Sequence, residues 1–379
     1  MSAASNDASA AGFGSCPLDL WLARQCGARS PEDLPGKLAA TQAELLRGTL
    51  RQATRGAFYA AHLQGCNLDV TSVDDLALLP FTTAEDLRNW GGFLCVPQGD
   101  VQRMVTLRTS GTTGQPKRLA FTDADLARTR DFFAVGMSQL VAAGQRLAVL
   151  LPGAERPDGV ADLLRQALGA VGVDVAAPPP EVHAVPSADA TACGELQRGT
   201  ALAQWLEQAK PHCLVAAPAQ LALLLKHFSD HGPQGLTGIL ASAEPLDEAL
   251  GQTLRRVWQC EVLDHYGLTE TAYGGAVECR AHQGLHVREL DVLVEIVDIS
   301  GSKVLPPGEE GEVVITTLQR QAMPLVRYRT GDAACLLPAP CGCGSPLRRL
   351  GPVRGRIERA NGQPPRIVRP AKGRAALEV

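Results

Sequence analysis

Residues 236–270, "LTGILASAEPLDEALGQTLRRVWQCEVLDHYGLTE", decide the predicted fold. Two nearly continuous apolar runs, "LTGILAS" (236–242) and "CEVLDHYG" (260–267), predict buried strands. Between them, residues 246–258 have the residue spacing of an amphipathic helix. Two buried strands joined by a helix form a βαβ unit, in which the strands are parallel and helices cover the sheet.

The same alternation of apolar runs and helical segments extends toward the N-terminus. It predicts strands at 145–152, 172–178 and 212–218, with helices near 160–170, 201–209 and 218–229. After about residue 285 the pattern changes, because "DVLVEIVDISGSKVLPPGEEGEVVITTL" (291–318) has two partly alternating segments joined by a turn rich in Gly, Pro and acids. That pattern predicts an antiparallel hairpin. The predicted fold class is therefore α/β, with parallel helix-covered sheets and a small antiparallel β subdomain.

The composition predicts a globular protein with a sizeable core, since 45% of the 379 residues are hydrophobic and 20% are charged. A net charge of -4 gives no reason to expect a nucleic acid or an anionic membrane as partner. The polar start "MSAASNDASAAGFGS" lacks the regions of a secretory signal, and no apolar run approaches the roughly 20 residues of a membrane span. The 11 scattered cysteines predict reduced thiols and a cytoplasmic location.

A second stretch, "VTLRTSGTTGQPKRLAFT" (105–122), has the composition of an anion-binding loop. Gly111 and Gly114 permit the close backbone approach that side chains would prevent. Successive N–H groups and hydroxyls can form an anion-binding nest, and Lys117 adds a positive charge. The hydroxyl side chains are those of Thr109, Ser110, Thr112 and Thr113. The spacing is not that of a Walker A loop, and taken alone the stretch also fits a polar turn after a strand.

Four short strings in the chain occur in the order of one known family: "TSGTTGQPK" (109–117), "SAEPL" (242–246), "YGLTE" (266–270) and "YRTGD" (328–332). Together they resemble the motifs of the adenylate-forming superfamily, which includes acyl-CoA synthetases, luciferases and peptide-synthetase adenylation domains. The longer strings "SAEPLDEAL" and "MPLVRYRTGD" are most similar to phenylacetate–CoA ligases and coenzyme F390 synthetase-like proteins. The resemblance covers residues from about 16 to 360.

The resemblance implies roles in binding ATP and Mg²⁺. Thr109–Lys117 would surround the β- and γ-phosphates, Thr269 would donate to the α-phosphate and Glu270 would hold Mg²⁺. Lys117, Thr269 and Glu270 are therefore the predicted catalytic residues. Tyr266 would stack on adenine, and Asp332 would accept both ribose hydroxyls. The other predicted nucleotide-binding residues are Ser242, Ala243, Glu244, Pro245, His265, Gly267 and Arg356.

The pocket for the acid substrate is predicted by the same resemblance. It would include Phe132, Phe133 and Ala241, with residues near 153–158. The stretch "LPGAERPDGV" (151–160) differs from the "YGYG"-like stretch associated with phenylacetate enzymes. The sequence therefore leaves the identity of the carboxylic acid open.

A metal site is predicted from Cys279, His286 and the "CGCG" string that holds Cys341 and Cys343. Three thiolates and one imidazole make a tetrahedral set for zinc, with no open position for catalysis. Resemblance to phenylacetate–CoA ligase-like proteins, some of which place a structural zinc here, supports this. The sequence leaves two alternatives for the ligand set. His282 could replace His286, and Cys335 is a less favoured ligand. The alternative is a set of reduced cysteines packed near the hairpin.

The resemblance also sets the predicted domain boundaries. A hinge is expected in "RGRIERANG" (354–362), followed in the family by a mobile domain of roughly 100 residues that carries a catalytic lysine. Because Lys372 stands too early to match that lysine, none is assigned, and the C-terminal domain is predicted to be absent or vestigial. The predicted divisions are a disordered segment 1–15, a large domain 16–353, and a hinge with a truncated C-terminal remnant 354–379. Within the large domain we predict a helical lead-in 16–100, an α/β part 101–284 and a β subdomain 285–353.

The predicted function is ATP-dependent activation of a carboxylic acid as acyl-AMP and its transfer to CoA. The expected small-molecule partners are the acid, ATP and CoA, and a homodimer or a partner protein that supplies the C-terminal domain is also considered. One alternative is an adenylating enzyme whose acceptor is a carrier protein or a cofactor. The other is a nucleotide-binding subunit without catalysis.

Overall fold

The computed structural model describes residues 12–107, 117–151, 153–154, 156, 159–182, 192–338, 340–359 and 363–369. The chain divides into two compact units. The first unit is the described part of Met1–Arg128 and Thr269–Arg369, and the second is the described part of Thr129–Leu268. Among the described helices, none has the length and apolar character that a membrane crossing requires.

The helices and strands carry chain-order labels. The α-helices of the described residues are α1 (Pro17–Cys26), α2 (Leu34–Ala53), α3 (Ala57–His62), α4 (Asp123–Met137), α5 (Val160–Gly169), α6 (Ala192–Ala209), α7 (Pro218–His227) and α8 (Glu248–Trp258). The strands are β1 (Arg103–Leu107), β2 (Lys117–Phe121), β3 (Arg146–Val149), β4 (Asp174–Ala176), β5 (Cys213–Ala216), β6 (Gly238–Ala241), β7 (Glu261–Tyr266), β8 (Ala276–Glu278), β9 (Leu285–Val287), β10 (Val292–Val297), β11 (Gly311–Thr317), β12 (Tyr328–Ala334), β13 (Arg349–Leu350), β14 (Gly355–Glu358) and β15 (Arg366–Val368).

The second unit contains a parallel sheet with the strand order β7-β6-β5-β3-β4. All five predicted strands form, and the predicted pairing is confirmed, as in the parallel register of Leu214 with Ile239 and of Leu240 with Leu263. Every residue of β5 and β6 is buried, as expected for strands covered on both faces. The four predicted helices form as α5 to α8, although α6 begins at Ala192, before the predicted segment 201–209.

The core of the second unit lies between these strands and helices. One buried cluster joins the sheet to its helices. It contains Ile239 of β6, Val262 of β7 and Leu150 directly after β3, packed with Leu224 of α7 and Trp258 of α8. The Trp258 indole donates a hydrogen bond of 2.9 Å to the carbonyl oxygen of Phe228, so its polar atom is satisfied inside the apolar core. This packing holds the carboxyl ends of β6 and β7, where two of the sequence motifs begin.

The first unit contains the predicted hairpin, with β10 and β11 antiparallel and Val294 opposite Ile315. These strands belong to a five-stranded sheet in the order β10-β11-β12-β14-β15. Three strands of this unit pair antiparallel in the order β13-β9-β8, and β1 pairs with β2 so that Leu107 lies opposite Lys117. The parallel sheet together with these antiparallel sheets confirms the predicted α/β class.

The predicted helical lead-in differs from the structure in its second half. Helices α1 to α3 end at His62, and the chain then forms short 3₁₀ turns at Val73–Leu78, Asp86–Phe93 and Gln98–Asp100. Longer helices do not form here because Pro80 and Pro97 lack the N–H donor of a helix and the pair Gly91–Gly92 has low helix propensity. Residues 12–15 of the segment predicted to be disordered are described, and the Ser15 N–H donates to the carbonyl oxygen of Cys343 at 3.0 Å. Residues 1–11 lie outside the described residues.

Candidate nucleotide site and metal cluster

Three side chains of the first unit meet at one oxygen of Glu270, and we call them the Glu270 corner: Lys117, Glu270 and Tyr328. The Lys117 ammonium and the Tyr328 hydroxyl each donate a hydrogen bond of 2.9 Å to Glu270 Oε1. Lys117 Nζ lies 3.4 Å from Tyr328 Oη. The side chains are nearly enclosed, with 14% of Lys117 and 8% of Glu270 exposed. A cation and a carboxylate are therefore paired away from bulk water.

Two members of the Glu270 corner begin strands, and the third lies in a short turn. Lys117 begins β2, Tyr328 begins β12 and Glu270 lies in the short 3₁₀ turn Thr269–Thr271. The backbone of that turn is held as well, because Arg320 Nη2 donates to the carbonyl oxygen of Glu270 at 3.3 Å. The Arg320 guanidinium in turn stacks over the Phe121 ring at 4.7 Å, an arrangement that favours a fixed position.

The charge state of Tyr328 follows from its surroundings. Burial, followed by the negative charge of Glu270, raises the pKa of Tyr328 far above its usual value. The hydroxyl therefore keeps its proton and acts as a donor to the Glu270 carboxylate. Tyr328 lies inside the quoted string "YRTGD" but was not among the predicted site residues. The signal that could have found it is its place in that string.

Asp332, the predicted ribose ligand, lies on β12 four residues after Tyr328. Tyr328 and Asp332 both belong to β12, and an irregularity in the register of β12 with β11 lies between them. Asp332 lies opposite Arg356 in the pairing of β12 with β14, and Arg356 Nη1 forms an ion pair with Asp332 Oδ1. The Arg356 side chain is 64% exposed and that of Asp332 is 7% exposed. Gly331 has φ +77°, a backbone angle that explains the glycine in "YRTGD".

In the second unit the structure brings together three other predicted residues. Ser242 Oγ and His265 Nδ1 form a hydrogen bond of 3.1 Å, and the Phe132 ring centroid lies 6.2 Å from that of His265. Ser242 follows β6 and His265 belongs to β7, so adjacent parallel strands place them side by side. Phe133 lies next to Phe132 with a centroid distance of 6.3 Å, and Ala241 is fully buried.

The remaining predicted residues differ in how much the structure says of them. Ala243, Glu244 and Pro245 are exposed after β6, and Ala243 has a left-handed φ of +74°. Tyr266, Gly267 and Thr269 are half-buried around the end of β7. The loop residues Thr109, Ser110, Gly111, Thr112, Thr113 and Gly114 lie outside the described residues. Their predicted contacts with phosphate therefore stay a prediction.

The four predicted metal ligands converge in the first unit, and we call them the cysteine cluster: Cys279, His286, Cys341 and Cys343. Their ligand atoms all lie within 4.8 Å of one another. Cys279 Sγ is 3.6 Å from Cys341 Sγ, and Cys343 Sγ is 3.6 Å from His286 Nε2. Ligands of a tetrahedral zinc with bonds of about 2.0–2.3 Å are roughly 3.5–3.8 Å apart. The donor set and its spacing therefore fit zinc.

The cysteine cluster is assembled by the antiparallel strands around it. His286 is the central residue of β9, while Cys279 directly follows β8. Burial, followed by the positive charge of Arg349, lowers the pKa of His286 to about 4, so its ring is neutral, as a metal ligand must be. The alternative His282 does not join the cluster, because its Nδ1 lies 3.3 Å from the Glu278 carboxylate. Cys335 does not join it either.

Gly14 lies against the loop of the cysteine cluster, a contact that the sequence did not predict. A Cβ added at Gly14 would meet the carbonyl oxygen of Cys343 at 2.6 Å, so only glycine permits this approach. Further along, Ser345 Oγ donates a hydrogen bond of 2.5 Å to Asp19 Oδ1. The loop that carries Cys343 is therefore fixed from the side of α1 as well as from its own strands.

Comparison with known proteins places this architecture among AMP-binding enzymes. The family model described as "AMP-binding enzyme" matches residues 191–321. The phenylacetate–coenzyme A ligase of Thermus thermophilus is 32% identical, over 86% of this chain and 72% of that protein. The enzyme of the same name from Pseudomonas putida is 31% identical, over 84% of this chain and 70% of that protein. Such identity over most of both chains shows the family.

A solved structure has the same fold. It is that of 2-hydroxyisobutyryl-CoA ligase in complex with 2-HIB-AMP and CoA, with a TM-score of 0.68 and 19% identity. The match covers 83% of this chain and 68% of that chain. The fold and the matched family define an AMP-forming ligase. The chain belongs to the phenylacetate–coenzyme A ligase family, which confirms the predicted resemblance and the predicted class of enzyme.

Proposed function

We propose that the chain activates a carboxylic acid with ATP, forming an acyl-adenylate and pyrophosphate, and then transfers the acyl group to CoA. Membership of the phenylacetate–coenzyme A ligase family supports both steps. The observation that carries the proposal is the contact of 2.9 Å between Lys117 and Glu270. The cation proposed for the leaving phosphates and the carboxylate proposed for Mg²⁺ are therefore in contact and nearly enclosed.

In the first step, a carboxylate oxygen of the acid attacks the α-phosphorus of ATP. The bond from this phosphorus to the bridging oxygen breaks, and pyrophosphate leaves with the electron pair. Because two anions are brought together, neutralising and orienting their charges is the main catalytic task. Lys117 carries positive charge to the leaving group, and Thr269 donates to the α-phosphate. Glu270 would hold Mg²⁺, which would offset the negative charge of the phosphates when bound.

Two further residues have proposed roles toward the rest of the nucleotide. Tyr266 stacks on adenine, and Asp332 accepts the two ribose hydroxyls. The ion pair of Arg356 with Asp332 supports a place for Arg356 beside the ribose. In the second step the CoA thiol attacks the acyl carbonyl, AMP leaves with the electrons of the acyl–oxygen bond, and the thiol proton passes to solvent.

The acid would bind beside Phe132, Phe133 and Ala241 in the second unit. Two buried aromatic rings next to each other suit an aromatic or otherwise apolar acid. The relatives are named for phenylacetate, so phenylacetate is the first acid to test.

We propose a structural zinc in the cysteine cluster. Its three thiols and one neutral imidazole would fill all four positions of a tetrahedral ion, so this metal would not touch the reacting atoms. The ten described cysteines are free thiols, which supports a reducing compartment such as the cytoplasm. The homodimer and the partner protein remain predictions.

The test is to incubate the chain with ATP, Mg²⁺, CoA and a panel of aryl and aliphatic acids. Pyrophosphate would be measured over time, and the product would be identified by mass. We expect acid-dependent pyrophosphate and an acyl-CoA. If the product is an acyl-protein, the acceptor is a carrier protein and not CoA. If addition of a cofactor gives an adenylated cofactor, the acceptor is that cofactor.

The matched variants for this test are Glu270→Gln and Glu85→Gln. Glu270→Gln removes the metal-binding charge and is expected to lower the rate by about 10²–10³-fold. Glu85 is an exposed carboxylate of the same unit, and Glu85→Gln should leave the rate unchanged. Equal rates in the two variants would contradict the role of Glu270.

A further inference from the structure

We infer that Tyr328 is a positioning residue for the metal-binding carboxylate: it holds Glu270 Oε1 so that Oε2 is the oxygen offered to Mg²⁺ of the nucleotide. This inference rests on the proposed function, since it concerns how the same site binds Mg·ATP. It assigns a separate task to a side chain that has no predicted contact with substrate.

The first support is the arrangement of the hydrogen bonds. Among the described residues, both donors to the Glu270 carboxylate, Lys117 Nζ and Tyr328 Oη, contact Oε1 at 2.9 Å. A carboxylate has two oxygens that can bind a cation, and donors gathered on one of them leave the other as the better ligand. Donors behind a ligating carboxylate fix its orientation, and their loss typically weakens metal binding 10–100-fold.

The second support is that the two donors, Lys117 and Tyr328, have different proposed roles in the reaction. Lys117 is needed at the leaving phosphates, and its long side chain can turn toward them. Tyr328 is a rigid ring that is 2% exposed, at the start of a strand paired on both sides, and it stays in place. Once the nucleotide is bound, Tyr328 is therefore the donor that continues to orient Glu270. Its contribution should be larger in the loaded protein than in the free protein.

The third support is that one strand connects the two ends of the nucleotide site. Tyr328 and Asp332 both belong to β12, so the residue that orients the metal ligand and the predicted ribose ligand are carried by the same strand. The backbone of Glu270 is fixed by Arg320, which leaves the rotation of its carboxylate as the freedom that Tyr328 restricts.

The experiment measures ATP binding by titration calorimetry at a series of Mg²⁺ concentrations, in the absence of acid and CoA. Tyr328→Phe removes one hydroxyl and keeps the ring. We expect the Mg²⁺ concentration for half-maximal ATP binding to rise roughly tenfold, with ATP binding restored at high Mg²⁺. In the Glu270→Gln background, Tyr328→Phe should produce no further rise, because it acts through Glu270.

The matched control is Tyr59→Phe. Tyr59 is a fully buried tyrosine of the same unit whose hydroxyl also makes two hydrogen bonds, with Thr82 and the Val326 N–H. This variant should lose at least as much thermal stability as Tyr328→Phe yet keep the wild-type Mg²⁺ dependence. An equal change in both variants would reduce Tyr328 to a structural role and overturn the inference.

The outcomes separate this inference from the proposed function. If the wild-type chain binds Mg·ATP and folded Tyr328→Phe shows the same Mg²⁺ dependence, the inference is wrong and the proposed function is untouched. If the wild-type chain binds no ATP at any Mg²⁺ concentration, the proposed function fails and the inference fails with it.

Discussion

The Glu270 corner and the cysteine cluster lie in the same unit, and they differ in how their charges are balanced. In the corner, the Glu270 carboxylate already has the Lys117 ammonium and the Tyr328 hydroxyl as partners. In the cluster, three thiols and a neutral imidazole face one another at distances that suit a shared cation. In the corner, protein groups alone satisfy the charge of Glu270, whereas the cluster has the geometry of a site built around an ion.

This difference indicates two kinds of metal dependence. The corner can stay folded without its ion, so Mg²⁺ can arrive and leave with the nucleotide. The cluster joins segments 62 residues apart in sequence, Cys279 and Cys341, and a bound ion there would stabilise the fold. We therefore expect changes in the corner to affect rate and changes in the cluster to affect stability.

The largest effect is expected for Lys117→Met, which removes the positive charge from the Glu270 corner. Pyrophosphate release should fall by about 10²–10³-fold, since a charge-stabilising donor for the leaving group is lost. The melting temperature should fall less than in Cys343→Ser, because the Tyr328 hydroxyl still donates to the Glu270 carboxylate after its cationic partner is lost. Lys303 is exposed in the same unit, so Lys303→Met is the control and should retain the wild-type rate. A large loss of stability in Lys117→Met would remove the distinction between corner and cluster.

The next largest effect is expected for Cys343→Ser in the cysteine cluster. Zinc content measured by mass spectrometry should fall, and the free energy of unfolding should drop by roughly 3 kcal/mol, part of the roughly 10–16 kcal/mol of isolated zinc fingers. Cys335→Ser, at a free thiol outside the cluster, should keep its zinc. A wild-type protein that holds no zinc after growth in zinc-rich medium would contradict the metal assignment.

The smallest effect is a pH dependence beside the cluster, at Asp19. Burial raises the pKa of Asp19 from 3.8 to about 6, against the lowering effect of the Ser345 hydrogen bond, and the charge of Glu289 adds to the rise. The folded state then binds the proton more tightly than the unfolded state. The stabilisation of the folded state by protonated Asp19 is present at low pH and is lost as the pH rises from about 4 to about 6.

Asp19→Asn should therefore reduce the change in unfolding free energy between pH 4 and pH 7 by about 2 kcal/mol. Chemical denaturation at several pH values measures this change. The control is Asp69→Asn, at an exposed carboxylate, which should leave the wild-type curve intact. If Asp19→Asn has the same pH dependence as the wild-type chain, Asp19 does not titrate in that range.

The parallel sheet could be predicted from sequence because its strands are continuous apolar runs. β5 and β6 have no polar face, so pattern and burial agree residue by residue. The helical lead-in was less predictable, because turns such as Asp86–Phe93 contain apolar residues at helix-like spacing despite their glycines. Local pattern does not reveal that these segments form 3₁₀ turns.

The candidate sites were predictable as residue types and less so as contacts. The four members of the cysteine cluster, His286 among them, were predicted from their chemistry, but excluding His282 as the alternative required the pairing of β9 with β8 and β13. The bond between Tyr328 and Glu270 joins residues 58 positions apart, and no local spacing predicts it. The contact of Gly14 with the cluster loop depends in the same way on tertiary packing.

The most direct measurement of the central claim is ATP–pyrophosphate exchange by the wild-type chain in the absence of CoA. Labelled pyrophosphate is incubated with the protein, ATP, Mg²⁺ and one acid at a time. The account predicts label in ATP only when a suitable acid is present, because exchange requires reversible formation of the acyl-adenylate. Binding of ATP and acid without any exchange would contradict the claim that this chain activates carboxylic acids.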